Sequence, residues 1–109
     1  MNPQFKKGVL ELIVLLALEK KDVYGYELVE EVSKVVEVNE GTIYPLLRRL
    51  TNEQCFTTYF QESTEGPPRK YYSLTDVGRK RLKKLLEQWL DFSENVNKYI
   101  KESGYDEKR

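Results

Sequence analysis

The stretch NEGTIYPLLRRLTN, residues 39–52, decides the fold of this chain. Its apolar residues recur at i, i+3, i+4 and i+7, which predicts a helix with one buried face. Asn39 is a good N-cap, because its side chain can accept a hydrogen bond from a free backbone N–H. Pro45 has no N–H to donate, so the first turn is expected either to be irregular or to begin near Thr42. The predicted buried face consists of Ile43, Leu46, Leu47 and Leu50.

The outward face of this helix is basic. It carries Arg48 and Arg49, has small residues near its start, and has no acid from Gly41 to Asn52. A short, basic, exposed helix of this kind suits the major groove of DNA. An ordinary surface helix with a solvated charged face explains the same residues, so both interpretations stay open at this point.

Length and composition predict one small domain, or a small domain with an appended helix. The chain has 109 residues, of which 39% are hydrophobic and 33% charged. A core of this size is limited, so association of two chains is an expected source of further burial. Residues 9–18 are almost wholly apolar but too short to cross a bilayer, and nothing resembles a signal peptide. We therefore expect a cytoplasmic protein without a membrane partner.

The sequence shows no recognisable pattern of catalytic residues. There is no histidine, which excludes His-dependent triads and Cys/His zinc sites. The single thiol, Cys55, forms neither an intrachain disulfide nor a metal site by itself, and we expect it to pack near the core. We see no glycine-rich phosphate loop. We therefore predict that the protein is not an enzyme and needs no cofactor or metal.

Charge is unevenly distributed although the formal net charge is zero. Residues 1–40 carry five basic and eight acidic groups, residues 41–84 carry nine and four, and residues 85–109 carry four and six. The positive charge is thus concentrated in the segment that begins with the basic helix. Such a local concentration attracts phosphates.

Two helices are predicted before the basic one. The first, residues 9–18 (VLELIVLLAL), is apolar nearly all round and must be buried on more than one side. The second, residues 24–36, exposes acidic residues. Its predicted inward residues are Leu28, Val32, Val35 and Val36. Three helices with short connections, the third of them basic, form a helix-turn-helix arrangement.

A β-hairpin is predicted after the basic helix. Residues 56–62 (FTTYFQE) and 70–74 (KYYSL) are rich in β-branched and aromatic residues, and the loop between them contains Gly-Pro-Pro. A hairpin in this place is expected to be a wing, whose Arg69 and Lys70 reach the minor groove or the phosphates. A plain edge hairpin with two solvated charges is the simpler alternative.

A long helix is predicted to follow the N-cap Thr75, with Asp76 in its first turn. Its apolar residues recur at spacings of three and four over about two and a half heptads. So long a seam would be exposed in a single chain, and we therefore predict a homodimer. The seam consists of Leu82, Leu85, Trp89, Phe92, Val96 and Tyr99.

The predicted fold class is mainly α (α+β), a winged helix-turn-helix domain with a two-stranded β wing and a long C-terminal dimerisation helix. We assign residues 1–74 to the DNA-binding domain, 75–102 to the dimerisation helix and 103–109 to a flexible tail.

Taken together, these segments resemble the PadR family of bacterial transcriptional regulators, specifically its short subfamily. The matching pieces are YGYEL at residues 24–28, NEGTIYPLLRRL at 39–50, GPPRKYYSLT at 66–75, and Gly78. The resemblance implies a homodimeric repressor that binds a pseudo-palindromic site in double-stranded DNA. It places the following residues at the DNA: Tyr24, Tyr26, Thr42, Tyr44, Pro45, Arg48, Arg49, Arg69 and Lys70.

Trp89 resembles a tryptophan that some PadR-like multidrug-sensing repressors place at the dimer centre, where planar drugs stack. The resemblance implies a small aromatic or hydrophobic effector. Its binding residues would be Phe5, Gly8, Leu12, Leu86, Trp89 and Ser93. Packing in a dimer core is the alternative for Trp89, because an aromatic residue on a heptad seam usually packs against its partner.

One position departs from the family pattern. Gln54 stands where the family usually has a glycine in the turn after the recognition helix. Glycine adopts a left-handed conformation without strain and glutamine does so less readily, so the approach angle of the wing depends on this residue.

A winged-helix module that binds protein instead of DNA is the competing class of function. The zero net charge and the acidic second helix favour it. The sequence does not identify the operator, the regulated genes, the effector or the direction of regulation.

Overall fold

The computed structural model describes the backbone of residues 3–106 and the side chains from Gly8 onward. Within this range the chain forms four helices and three short strands. In order they are α1 (Pro3–Ala17), β1 (Val23–Tyr24), α2 (Gly25–Ser33), α3 (Glu40–Asn52), β2 (Phe56–Gln61), β3 (Arg69–Leu74) and α4 (Asp76–Glu102). The strands form one antiparallel sheet in the order β1-β3-β2. The predicted α+β winged-helix fold with a long last helix is confirmed.

Helix α1 is the centre of the core. It packs against both α2 and α4, which explains why its sequence is apolar nearly all round. Leu10, Val14 and Leu15 are fully buried, whereas Leu16 stays exposed. The prediction that this helix is buried on more than one side is therefore confirmed.

Helix α2 is shorter than the sequence predicts. It ends at Ser33 and a turn follows, so the helical register does not continue. The prediction that Val35 faces inward was wrong, since its side chain is 66% exposed, and Val29 is buried instead. Tyr24, predicted to open this helix, belongs to the strand β1.

Strand β1 was not predicted from the sequence. Val23 pairs with Tyr72 and Tyr24 with Tyr71, so the sheet has a third strand beside the hairpin. Two residues cannot display an alternating pattern, and only their partner on β3 makes them a strand. The sheet therefore continues from the wing into the start of α2.

Helix α3 forms as the sequence predicts. The side chain of Asn39 accepts a hydrogen bond of 3.1 Å from the backbone N–H of Thr42. The helix begins at Glu40 and runs through Pro45, at the loss of one backbone hydrogen bond. The predicted apolar stripe is buried, and its members are Ile43, Leu46, Leu47 and Leu50.

The turn after α3 uses Gln54 in a left-handed conformation, with φ of 66°. The N–H of Gln54 donates to the carbonyl of Thr51, and the N–H of Cys55 donates to the carbonyl of Leu50. These two bonds define a Schellman motif, in which glycine is the usual residue at this position. Gln54 thus adopts the left-handed backbone conformation that glycine usually adopts at this position.

Helix α4 begins directly against this turn. Thr75 caps it by accepting from the N–H of Gly78, and its hydroxyl donates to the carbonyl of Gln54 at 2.6 Å. A Cβ at Gly78 would collide with the carbonyl oxygen of Cys55, so only glycine allows this approach.

The second half of α4 is exposed in the single chain. The molecule extends 57 Å along its longest axis, and the side chains of the last turns of α4 are exposed. Their exposed apolar residues are Leu90, Phe92, Val96, Tyr99 and Ile100. Among residues 3–106, none of the helices is long and apolar enough to span a membrane.

Candidate nucleic-acid interface

Tyr44 of α3 lies where α3 meets the start of α2 and the sheet. Gly25 lies beside Tyr44 and Tyr72: a Cβ there would be tight against Tyr72, at 3.2 Å from one ring carbon, and in ordinary contact with Tyr44, at 3.8 Å. Burial raises the pKa of Tyr44, and the carboxylate of Glu40 adds to this shift. The glycine of the YGYEL segment therefore lets the start of α2 approach Tyr72 of the sheet closely, with Tyr44 of the basic helix beside them.

Tyr24 and Tyr26 flank the same junction. Their ring centroids are 6.4 Å apart, and both phenols contribute, after burial and Glu40, to the raised pKa of Tyr44. Three tyrosines predicted from the sequence as DNA-contacting residues thus lie close to one another.

Arg48, one turn after Tyr44, is exposed. Burial and Tyr44 raise the pKa of Tyr72, and the positive charge of Arg48 opposes that rise, which places the guanidinium near this end of the sheet. Among the described side chains, Arg48 has no ion-pair partner. Its charge is therefore available to a ligand. Thr42 and Pro45 are exposed on the same helix, although Thr42 also serves the cap.

The two wing cations each lie over a tyrosine. The guanidinium carbon of Arg69 is 5.1 Å from the ring centroid of Tyr24, and the Nζ of Lys70 is 5.6 Å from that of Tyr72. Such contacts orient a cation while leaving its outer side open. The short strand β1 supplies the ring for Arg69, so this strand positions part of the wing.

A row of tyrosines covers the outer face of the sheet. Tyr71 lies between Tyr24, at 6.0 Å, and Tyr59, at 5.6 Å with nearly parallel rings. The hydroxyl of Tyr59 donates to the carboxylate of Asp22 at 2.7 Å. The row crosses all three strands and holds the base of the wing against β1.

Arg49 differs from Arg48 in its surroundings. Its guanidinium lies 3.2 Å from Glu11 of α1 and 3.0 Å from Glu53 at the end of α3. Arg81 of α4 pairs with the same two carboxylates. We call these four residues the charge cluster. The assignment of Arg49 to the DNA surface stays a prediction, and its guanidinium already has two partners within the protein.

Within the charge cluster, the pKa values of Glu53, Arg49 and Arg81 are shifted. Hydrogen bonds from Arg81 and Arg49 hold the pKa of Glu53 below its ordinary range. Burial alone would lower the pKa of Arg49, but hydrogen bonds to Glu53 and Glu11 outweigh that effect and raise it. The cluster therefore stabilises the ionised forms of Glu53, Arg49 and Arg81, and it joins α1, α3 and α4.

A cleft of about 340 Å³ lies between α1 and α4. Three residues predicted to bind an effector line it, namely Gly8, Leu12 and Trp89. Its other lining residues are Val9, Leu85, Gln88 and Phe92. The volume lies within the range of sites for small organic ligands.

Two other predicted effector residues do not line the cleft. Leu86 packs against the core, and the hydroxyl of Ser93 donates to the carbonyl of Leu90 at 3.3 Å, so neither lines the cleft. The side chain of Phe5 lies outside the described residues, as do residues 107–109 of the predicted tail.

These features define a winged-helix protein in which the exposed face of α3, the start of α2 and the wing lie together. Residues 14–84 match the transcriptional regulator PadR-like family. The chain therefore belongs to the PadR-like family of transcriptional regulators. The predicted family is confirmed, and the protein is classed with regulators and not with enzymes.

Solved structures agree with this membership. A PadR-like transcriptional regulator from Bacillus cereus is 39% identical, with a TM-score of 0.80 over 89% of this chain and 96% of its own. A PadR family transcription regulator from Clostridium difficile is 31% identical, with a TM-score of 0.75 over 84% of this chain and 97% of its own. An uncharacterised protein from Lysinibacillus sphaericus is 30% identical over 86% of this chain and 90% of its own length.

Proposed function

We propose that this protein is a homodimeric repressor that binds a pseudo-palindromic site in double-stranded DNA. Helix α3 would enter the major groove, and the hairpin β2–β3, the wing, would lie along the flanking minor groove. The observation that carries the proposal is the exposed Arg48 beside Tyr44, on the surface that also holds Arg69 and Lys70. Arg48 has no ion-pair partner among the described side chains.

The residues of this surface have separate roles. Arg48 presents two parallel N–H donors, which match the O6 and N7 acceptors of guanine in the major groove. Arg69 and Lys70 are suited to phosphates, because they lie on the wing with their charges open to solvent. Tyr24 and Tyr26, at the N-terminal end of α2, are suited to the DNA backbone through their hydroxyls.

Dimerisation would use the second half of α4. In the single chain this helix exposes Phe92, Val96 and Tyr99 on one seam. Apolar residues at this spacing pair with a second helix. We therefore treat residues 1–74 as the DNA-binding part and residues 75–102 as the dimerisation helix. Two copies would then present their α3 helices about 34 Å apart, one turn of DNA.

The cleft between α1 and α4 is the proposed effector site. It is mainly apolar, and Trp89 offers a flat face on which an aromatic ligand can stack. Because α4 also carries the proposed dimer seam, a ligand there would alter the spacing of the α3 helices and release DNA. Trp89 is the sole tryptophan, so quenching of its fluorescence by planar aromatic cations tests this part. Absence of quenching across a broad panel would contradict it.

Selection from a library of random duplexes, followed by mobility shift at moderate salt, tests the main proposal. We expect enrichment of one sequence with two related half-sites. Sedimentation equilibrium should give a dimer at micromolar concentration, and Phe92→Glu should give a monomer with weaker binding. A parent protein that dimerises but enriches no sequence would instead support the protein-binding module, which the zero net charge favours.

A further inference from the structure

Phe60 is the most exposed large apolar residue of the wing, at 69%. A single exposed apolar residue is common on protein surfaces, so exposure alone assigns it no role. Its ring makes no aromatic contact among the described residues, whereas Tyr59 beside it is committed to Tyr71 and Asp22. What distinguishes Phe60 is where the strand register places it.

Alternation along β2 and β3 puts Phe60 on the inner face of the hairpin. On this face Phe56 pairs with Leu74 in the core, and Phe60 pairs with Lys70 farther along the hairpin. Between them lies the buried Tyr72, which contacts the start of α2 beside Tyr44. The inner face of the hairpin therefore begins in the core at Phe56, passes Tyr72 beside α3, and ends at Phe60.

Phe60 and Lys70 therefore form an apolar and cationic pair on the face of the wing that is turned toward α3. Phosphates line both sides of the minor groove, while the walls of the groove are deoxyribose rings with apolar faces. A cation held at a phosphate places its cross-strand neighbour, about 5 Å away, at those walls. An aromatic ring at that place can pack against the apolar faces of the deoxyribose rings, and removing its apolar surface from water favours binding.

We propose that Phe60 packs into the minor groove of the operator and is a further DNA-contacting residue of the wing. This inference rests on the proposed function. The contact makes the wing sensitive to groove width and to the flexibility of the base steps beneath it, because an apolar side chain reads shape and not hydrogen-bond pattern.

The test compares Phe60→Ala with Tyr105→Ala, which removes an aromatic residue of similar exposure, 75%, from the other end of the chain. The affinity of both variants is measured over a range of salt concentrations, with the duplex that the parent selects from a random library. We expect Phe60→Ala to bind roughly tenfold more weakly at every salt concentration, because the lost contact is apolar and releases no counterions. Tyr105→Ala and Phe60→Trp should bind as the parent does.

Phe60→Thr is the second variant, because a β-branched residue keeps the strand propensity if alanine disturbs the wing. Circular dichroism and light scattering show that each variant keeps the fold and assembly of the parent. Parental affinity in both Phe60→Ala and Phe60→Thr, or a reduced salt slope in either, would overturn this inference while the proposed function stands. A parent that selects no duplex at all would overturn the proposed function itself.

Discussion

The guanidinium of Arg49 lies 3.2 Å from the carboxylate of Glu11, which is 38 residues earlier in the chain. Its neighbour Arg48 is exposed and has no ion-pair partner among the described side chains. Two consecutive arginines of one helix thus have different surroundings. Arg49 ties α3 to α1, while the charge of Arg48 is exposed to solvent.

Glu11→Gln should lower the free energy of unfolding by about 1–2 kcal/mol. The reason is that Arg49 and Arg81 each lose an ion pair with a carboxylate that is only 16% exposed. Urea denaturation at one fixed protein concentration measures this, since the stability of a dimer depends on concentration. Glu31→Gln is the control. It breaks an exposed pair with Lys34 and should change stability by less than about 0.5 kcal/mol. Equal losses in the two variants would deny the charge cluster a special role.

Acid should weaken the charge cluster through Glu53. Its pKa is held below the ordinary range, so its stabilising contribution is complete above the unfolded value of about 4.3 and is lost as the pH falls through the lower, folded value. Glu53→Gln should therefore flatten the acid limb of a stability-against-pH curve measured by urea denaturation. Glu31→Gln should keep the parental limb. A parental acid limb in Glu53→Gln would contradict the prediction.

Gln54→Gly should raise the free energy of unfolding by about 0.5–1 kcal/mol. Gln54 has φ of 66°, and glycine removes the cost of placing a Cβ in this conformation, although it gains more entropy in the unfolded chain. Gln54→Ala keeps the Cβ and should give no such gain. Thermal and urea denaturation of the three proteins separate relief of backbone strain from loss of the side chain.

Arg48→Ala should cost about 1–3 kcal/mol of binding to the selected duplex and relax the preference for one base pair. The contact is expected to be bidentate to guanine, so substituting that base pair in the DNA should cost the parent as much and the variant little. Lys101→Ala removes one exposed cation from the end of α4 and serves as the charge control. A variant at Arg48 that binds all duplexes as the parent does would exclude this residue from the interface.

Lys70→Ala should weaken binding to all duplexes by a similar factor and reduce the slope of log K against log salt by about 0.9. The reason is that one phosphate contact releases about one condensed counterion. Titration over a range of potassium chloride concentrations measures the slope, with Lys101→Ala as the control of equal charge. An unaltered slope would show that Lys70 does not contact a phosphate.

Much of the fold could be predicted because its signals are local. Asn39 and Thr75 cap their helices as their chemistry predicts, and the stripe of α3 is buried because the helical period is written in the sequence. The exposed half of the α4 seam was also predicted, since Phe92 and Val96 exceed what a small domain can cover.

The features that were missed depend on residues distant in sequence. Strand β1 exists only because Tyr24 pairs with Tyr71, and two residues have no pattern to detect. Glu11, one of the two partners of Arg49, is on another helix. The face of α3 therefore could not show that Arg49 is engaged there while Arg48 has no ion-pair partner among the described side chains. Within the candidate site, chemistry predicted the cations, but the register was needed to place Phe60.

Gly78 leaves no side chain between the first turn of α4 and the carbonyl of Cys55. The turn after α3 therefore packs directly against the backbone of α4. We therefore expect α3 and α4 to move together as one rigid body. Since α4 has 27 residues and is about 40 Å long, a tilt of roughly 6° about its midpoint moves each end by about 2 Å. In the proposed dimer, a ligand that separates the two seams slightly would thus displace the α3 helices enough to spoil their fit to the DNA. No loop would have to unfold.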